Sequence, residues 1–361
     1  MSGNIINASM TIFNTDISGY SWPVTIANGT ETNPVVVTFG DDITLDSTSQ
    51  YFIIGSEYIT IDGGNYTVTI DGVNYPGLVQ NGTSNSIGKS NVIVKNINMS
   101  TLNNSTLANY GGWIGRQYFG RGSSNVIVDN CSSSGAIGYN AGGICGCYAG
   151  RDGGEVNVSK CYSSGAIGAG AIGDYAGGIC GGYAGYEGTA NVSKCYSSGA
   201  ISGAFAGGIY GAFAGDGSSG EANVSNSYSS GAISGNAGGI FGASPGTTVD
   251  SNTYVANNAW TDASANTKLI GTPTESNPMG NVWSDIAPND DSIAWILSIN
   301  YVPPSPPSTV TTIDNGNELE DFLNTSNMIY GNIKNNLSIS YNLSSSSKKI
   351  LSGNNIKIVK I

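Results

Sequence analysis

The phrase NVSKCYSSGAI occurs twice, ending at Ile167 and at Ile201, and recurs as NVIVDNCSSSGAI ending at Ile137 and NVSNSYSSGAI ending at Ile233. Aligning the valine of each copy gives Val94, Val128, Val158, Val192 and Val224, at steps of 34, 30, 34 and 32 residues. A second phrase keeps pace with the first: GGWIG at 111–115, GGICG at 142–146 and 177–181, GGIYG at 207–211 and GGIFG at 238–242. A period of this length marks a repeat array, in which one unit cannot bury its apolar face and stacked neighbours build a continuous core. This constrains the fold more than any other feature of the chain.

Within a unit the apolar and small positions alternate, through Val126, Val128, Cys131 and Ser133 and on to Ile137 and Ile144. Period two interrupted by turns is strand writing. Helices are disfavoured because Gly and Ser dominate the repeat, and each Gly costs ~1 kcal/mol relative to Ala in a helix. Three short strands per repeat, joined by Gly-rich bends, describe one coil of a parallel β-solenoid. Equivalent side chains then stack in columns about 4.8 Å apart. The columns expected to face inward are Ile137, Ile167, Ile201 and Ile233; Val128, Val158, Val192 and Val224; and Ile144, Ile179, Ile209 and Ile240. Each buried Ile or Val contributes ~1.5–3 kcal/mol by desolvation, which offsets the cost of ordering so many glycines. Length varies only before the AGGI phrase and after the following AG, so those are the turns.

Composition narrows the function. The net charge is -12, with 13 Lys plus Arg and no His. Neutralising phosphates needs clustered cations, so a nucleic-acid partner is not expected. No run approaches the ~18 apolar residues of a membrane span, and the N-terminus lacks a basic stretch followed by an apolar one, so neither a span nor a secretory signal is expected. The six cysteines, at 131, 145, 147, 161, 180 and 195, follow the repeat and not a disulfide framework. Sequons such as those at Asn28, Asn81 and Asn191 reflect an Asn- and Ser-rich composition.

The motif CYSSGAI…AGGICG resembles the GLUG-type repeat over roughly residues 90–250, with Cys, Tyr or Phe where that repeat has Val in its Gly-Gly-Leu-Val-Gly phrase. Upstream, YITIDGGNYTVTIDGVNYPGLVQNG and NVIVKNINM resemble the opening coils of right-handed, pectin-lyase-like β-helices. NVWSDIAPNDDSIAWILSINYVPP looks like the Trp-containing segment that follows such repeats. The resemblance implies an all-β, right-handed parallel β-helix with a small C-terminal α+β or β appendage. The expected organisation is an irregular N-terminal cap at 1–34, coils at 35–254, a closing segment at 255–302, a Pro-rich linker at 303–310 and a strand-rich tail at 311–361 containing one short helix at 317–323. The tail reads like the opening of a second β-helix. It either lends its strands to a sheet edge, in cis or in trans, or stands as a small separate domain.

Pectin-lyase-like folds often carry carbohydrate-active enzymes, which use paired carboxylates. The pairs here are Asp41-Asp42 and Asp290-Asp291, without His and with only Arg116, Arg121 and Arg151 to build a basic groove. Relays through His are impossible. The cysteine column Cys131, Cys161 and Cys195 runs in a line that ends at Ser227, whereas zinc needs a tetrahedron, so small core packing is the better reading, with inter-coil disulfides open to it under oxidising conditions. Acidic turn residues Asp152, Glu155, Glu187, Asp216 and Glu221 lack the spacing of calcium-binding β-rolls. Tyr162, Tyr196 and Tyr228 form a column expected to be exposed, as a stabilising ladder or a platform for sugar rings. Lys160 and Lys194 are expected at repeat-equivalent surface positions.

No catalytic, cofactor-binding or metal-ligating set is expected. The leading reading is a non-enzymatic structural or surface-interaction protein, a rigid rod that associates with itself or with other structural subunits through a surface that includes Tyr162, Tyr196 and Tyr228. Low charge, Asn/Ile/Ser richness and such repeats resemble proteins of large DNA viruses of protists, which implies a virion or fibre component; a bacterial adhesin-like surface protein is the rival. The alternative from another class is a polysaccharide-binding or polysaccharide-degrading β-helix. Ice binding needs a flat, regular Thr array, which the mixed outward positions do not supply.

Overall fold

The computed structural model describes residues 4–168, 175–225, 227–229, 231, 233 and 237–242, and the backbone of short strands at Tyr254–Ala256, Val282–Trp283, Thr311–Ile313, Tyr330–Ile333 and Ile350–Ser352. The expected linker, Asp290-Asp291 and the 317–323 helix lie outside the described residues, as does most of the closing segment. The chain divides into two compact units, residues 1–282 and 283–361.

The first unit is a parallel β-solenoid of about seven turns. Its first wall is an eight-stranded sheet running from Met10–Ile12 and Val35–Phe39 through Ile59–Asp62, Val92–Lys95, Val126–Asp129 and Glu155–Ser159 to Thr189–Ser193 and Glu221–Ser225. The register pairs Val94 with Val128, Val128 with Val158, Val158 with Val192 and Val192 with Val224, so the valine column stands as expected. Parallel bridges join Ile137, Ile167, Ile201 and Ile233 in the same order, and all four are fully buried. Alternation does the sorting: in Glu155–Ser159 the valines point inward while Asn157 and Ser159 point out.

The second wall descends from Ile43–Leu45 and Thr67–Asp71 through Asn98–Leu102 to the two-residue strands Ser132–Ser133, Tyr162–Ser163, Tyr196–Ser197 and Tyr228–Ser229. The third wall is a sheet only in the upper coils, at Ile5–Ile6, Val24–Ile26, Phe52–Ile54 and Val79–Gln80. In the repeats the expected third strand is replaced by paired single bridges, Gly112 to Gly142 to Gly177 to Gly207 to Gly238, and Gly115 to Cys145 to Cys180 to Tyr210 to Phe241. The reason is local. The carbonyl of Ile144 accepts two successive N–H groups, from Ile114 and Gly115, each at 3.0 Å, so the backbone turns there and no regular ladder forms.

The segment expected as an irregular cap contributes strands to all this: Ile5–Ile6 and Val24–Ile26 pair with each other and begin the third wall, and Met10–Ile12 begins the first. Between them a short 3-10 helix, Asn14–Gly19, covers the open edge of Ile43–Leu45, where Asn14 Oδ1 accepts the Thr44 N–H at 2.8 Å. That satisfies part of an edge that would otherwise offer itself to another strand.

In the second unit three parallel strands are in register, Thr311 with Gly331 and Gly331 with Leu351. Strand-like writing in the tail therefore does form a parallel sheet.

Candidate interaction surface

The turn that follows each of the first four Gly-Gly phrases carries an aromatic residue three positions past the bridging column: Tyr118, Tyr148, Tyr183 and Phe213. All four have left-handed backbones, with φ of 64°, 62°, 57° and 58°. The residue after each is buried, Phe119, Ala149, Ala184 and Ala214, and the next is a glycine also at positive φ. Two left-handed residues around one buried side chain fold the turn tightly and throw the aromatic ring outward. Successive turns are tied by the Tyr118 N–H to the Cys147 carbonyl at 3.0 Å and the Tyr183 N–H to the Ala212 carbonyl at 2.9 Å.

Because the coils stack in register, the rings stack too. Centroids lie 5.2 Å apart for Tyr118 and Tyr148, 5.1 Å for Tyr148 and Tyr183 and 5.0 Å for Tyr183 and Phe213, with interplanar angles of 4°, 24° and 19°. A second left-handed column, at Tyr110, Asn140, Tyr175 and Phe205, runs beside it. Tyr175 joins the two, at 5.7 Å from Phe205 and 5.7 Å from Phe213. Tyr186 closes the other flank, edge-on to Tyr148 at 6.2 Å. The rings of both columns are half-buried, and those of the first column cover one another's faces. Burial pushes the Tyr148 hydroxyl up to about 12, so it is a neutral donor at any ordinary pH.

Arginine borders this strip. Arg151 lies 4.6 Å over the Tyr148 ring and 5.0 Å over Tyr186. Its Nε donates to Asp152 Oδ1 at 2.9 Å, while Arg121 Nε donates to Asp152 Oδ2 at 2.6 Å. Partial burial alone would raise the Asp152 carboxyl, but hydrogen bonds and charge from Arg151 and Arg121 outweigh it and hold the group below the usual carboxylate range. Arg116 is committed elsewhere, 3.8 Å over the Tyr51 ring with Nη1 donating to Gln80 at 3.1 Å.

The tyrosine column singled out from the sequence has a different character. Tyr162 and Tyr196 do stack, at 5.0 Å and 13°, but they are only 8% and 2% exposed. Tyr162 also exchanges a hydrogen bond with Ser198 at 3.0 Å. The expected exposure is therefore not found for these two; Tyr228 shares their backbone register. Strand parity places these residues outward and says nothing about whether that outer side is covered. The half-buried column has a sequence signal: in QYFG, CYAG, GYAG and AFAG an aromatic recurs at a fixed offset from GGI.

The remaining candidates are occupied in holding the fold. Asp41 accepts the Asn14 N–H and Asp42 the Thr67 N–H, each at 2.7 Å, so the two carboxylates serve separate backbone donors. All six cysteines are free and buried. In the column, the Cys131 N–H donates to Cys161 Sγ at 3.4 Å and the Cys161 N–H to Cys195 Sγ at 3.4 Å, while Cys161 Sγ donates to the Ser159 carbonyl at 3.2 Å. Ser227 does the same work one coil on, accepting from Cys195 at 3.0 Å and donating to Ser225 at 2.8 Å. These thiols thus bridge backbone groups at a corner as well as filling it. Burial pushes the Cys131 and Cys161 thiols well up, which makes them poor nucleophiles. Among the described residues no three His, Cys, Asp or Glu side chains gather as metal ligands.

Two of the sequons are spoken for. Asn81 is buried and exchanges hydrogen bonds with the Lys89 backbone at 3.0 and 2.6 Å. Asn191 donates to Asn157 at 2.9 Å and accepts from Asn223 at 3.0 Å, in a ladder along the first wall. Asn and Ser recur two apart there because both are outward positions. Neither the known protein families nor the curated proteins contain a match to this chain.

Proposed function

We propose that the chain is a non-enzymatic structural rod, of a virion, fibre or cell surface, that docks a protein partner through the Tyr–Arg strip. The partner is another copy or a different structural subunit. The observation that carries this is the ring stack. Sugar rings bind to open aromatic faces, and here the faces cover one another at 5.0–5.2 Å, leaving edges, hydroxyls and a guanidinium. Tyr and Arg on a rigid support are the residues that dominate protein–protein hot spots. Energetics agree. A non-Gly left-handed residue costs roughly 1–2 kcal/mol and an aromatic pair returns roughly 0.5–1.5, so stability alone gives little reason for aromatics where Gly or Asn would sit at ease. The low charge, Asn/Ile/Ser richness and repeats, which resemble proteins of large DNA viruses of protists, support the same reading by resemblance, while the pectin-lyase-like motifs speak for the second.

The second reading, a polysaccharide-binding or polysaccharide-degrading β-helix, draws on the same tyrosines. On the purified chain we expect concentration-dependent association in sedimentation velocity, weakened about tenfold in Tyr148→Ser/Tyr183→Ser, and no reducing-sugar release from a polysaccharide panel. Sugar release, or a glycan-array signal that disappears in that double variant, would transfer the strip to the second reading.

A further inference from the structure

Beside the strip, the loop at residues 81–89 holds Ile87 with 66% of its surface exposed, more than Ile5, Phe13, Tyr66 or Leu102. An exposed isoleucine on a slack loop would need no account. This loop is not slack. Asn81 clasps Lys89 from both sides, Thr83 and Ser86 pair backbone to backbone at 3.0 and 3.4 Å, and Gly88 donates to the Arg121 carbonyl at 2.6 Å. Arg121 Nη1 reaches the carbonyls of Thr83 at 3.0 Å and Ser84 at 2.8 Å. Ile87 lies over Gly122, where an added Cβ would meet its Cγ2 at 2.7 Å, and the Gly122 N–H donates to the Arg151 carbonyl at 2.8 Å.

Arg121 and Gly122 thus link the apolar tip to the patch formed by the Arg121–Asp152–Arg151 clasp and Tyr186. Arg151 is fixed from two directions, by Asp152 at its Nε and by the Tyr148 and Tyr186 rings against its plane. Among the described residues its two Nη nitrogens have no protein acceptor. The side chain keeps 28% exposure. A planar guanidinium with a free fork, held in one orientation, matches a carboxylate bidentately. Two arginines around a single aspartate also leave the clasp positive on a chain of net charge -12. Ordering costs that usually subtract from binding are already met by the internal bonds of the loop.

We infer that this patch is a docking site for a protein segment that presents an Asp or Glu carboxylate to the Arg151 fork and an apolar side chain to Ile87. The inference rests on reading the strip as a protein interface and names the chemistry of the partner there. It does not extend to acidic polysaccharides, which would supply the carboxylate without the apolar neighbour.

A phage-displayed library of random linear peptides, panned on the intact chain, tests it. Enriched peptides should carry Asp or Glu within two residues of Leu, Ile or Phe. Binding of the leading synthetic peptide, followed by fluorescence polarisation, should weaken at least tenfold in Arg151→Gln and in Ile87→Ser, and several-fold in Arg151→Lys, which keeps the charge and loses the fork. Replacing the peptide's acid by its amide should weaken binding to the native chain by a similar factor and add little in Arg151→Gln. Urea midpoints of the variants report whether each is folded, and the amide peptide on the native chain gives a readout independent of any variant. Enriched peptides without an acid, or binding indifferent to Arg151→Gln and to the amide exchange, would overturn the inference. If such peptides are instead lost in Tyr183→Ser, the strip remains a protein interface while this site falls. A library that yields no specific binder counts against both.

Discussion

The upper and lower coils solve one packing problem in opposite ways. Above about residue 115 the interior is filled with bulk: Phe39, Leu45, Phe52, Ile70, Tyr75 and Trp113 are all buried. Below it, the second-wall positions that follow Val68 and Met99 in register are Ser133, Ser163, Ser197 and Ser229, and glycines face them. An added Cβ at Gly143 would meet Ser163 Oγ at 2.5 Å, and one at Gly178 or Gly208 would strike Ser197 or Ser229 and the backbone of the next coil. At this wall the lower coils bring glycine against serine and the backbone of the next coil, where the upper ones carry Val68 and Met99; elsewhere the Ile and Val columns, Tyr210 and Phe241 fill the lower interior as well. At the positions that face this wall the substitution rules should invert across the boundary, with truncation harmful above and enlargement harmful below.

Trp113 marks the boundary, and its loss should have the largest effect. Counting from the bridges Gly112 to Gly142 and Gly115 to Cys145, Trp113 occupies the place of Gly143, Gly178, Gly208 and Gly239 in later coils. Its ring is fully buried, Nε1 donates to the Gly135 carbonyl at 3.1 Å, and Gly135 has no room for a Cβ beneath it. Trp113→Ala should cost about 3–5 kcal/mol, read from the shift in urea midpoint at constant slope. A cost under about 1 kcal/mol would mean the upper coil can collapse to the lower geometry, and the contrast would lose its basis.

Gly178→Ala asks the converse question. One methyl there meets the Gly208 carbonyl and Ser197 Oγ, and neither the backbone nor a side chain with no room behind it can yield cheaply. Overpacking of this kind costs about 1–3 kcal/mol, more when backbone must move. Gly72→Ala in the upper coils meets nothing within 4 Å and should cost only the price of its φ of +68°, so the pair separates steric from conformational penalties. Equal losses in the two would sink the close-approach account of the lower coils.

Corner chemistry distinguishes the halves more gently. At the turn after the first wall the upper coil has Ile97, while the lower coils have Cys131, Cys161, Cys195 and Ser227, each of the last three accepting an N–H from the coil before. Cys161→Ser should be within about 1 kcal/mol of native, because Ser227 shows the hydroxyl fits the role. Cys161→Ala should cost about 1–3 kcal/mol, since it strands the buried Cys131 N–H. Thermal or urea unfolding of the two variants checks the order, and Ala matching Ser would reduce the column to simple filling.

How much of this was legible in the sequence follows from what repetition encodes. Identical apolar letters at a fixed period declare a column, so the Val128 and Ile167 columns and the parallel stacking could be read directly. Repetition does not report backbone sign. Left-handed residues are expected to be Gly or Asn, and an aromatic such as Tyr148 at φ 62° disguises its turn, so the period alone does not announce the outward strip. Nor does it report what lies over an outward side chain, which is why buried Tyr162 and Tyr196 looked like surface. The loss of the third strand in the repeats had a visible sign in the GG pairs, but those glycines spoke for a bend without saying that only single bridges would survive it.

The smallest effect sits at the corner one residue before the thiols, where the same left-handed position is Asn96, Asn130, Lys160 and Lys194, with φ of 57°, 51°, 50° and 53°. The asparagines suit that backbone and form a ladder, Asn130 donating to Asn96 at 2.8 Å and Asn96 to Asp62 at 2.9 Å. Lysine has no such short-range compensation, and what it adds is an exposed ion pair to Asp129 at 3.5 Å, worth about 0–1 kcal/mol in water. Lys160→Asn should therefore stabilise the chain by about 0.5 kcal/mol, the relief of left-handed strain and the extended ladder outweighing the lost pair. Raising the salt concentration sharpens the measurement, because it weakens the native ion pair and leaves the amide ladder alone. A gain that grows with salt assigns the difference to the backbone; a loss at low salt that disappears at high salt would show that the lower coils keep lysine here for its charge.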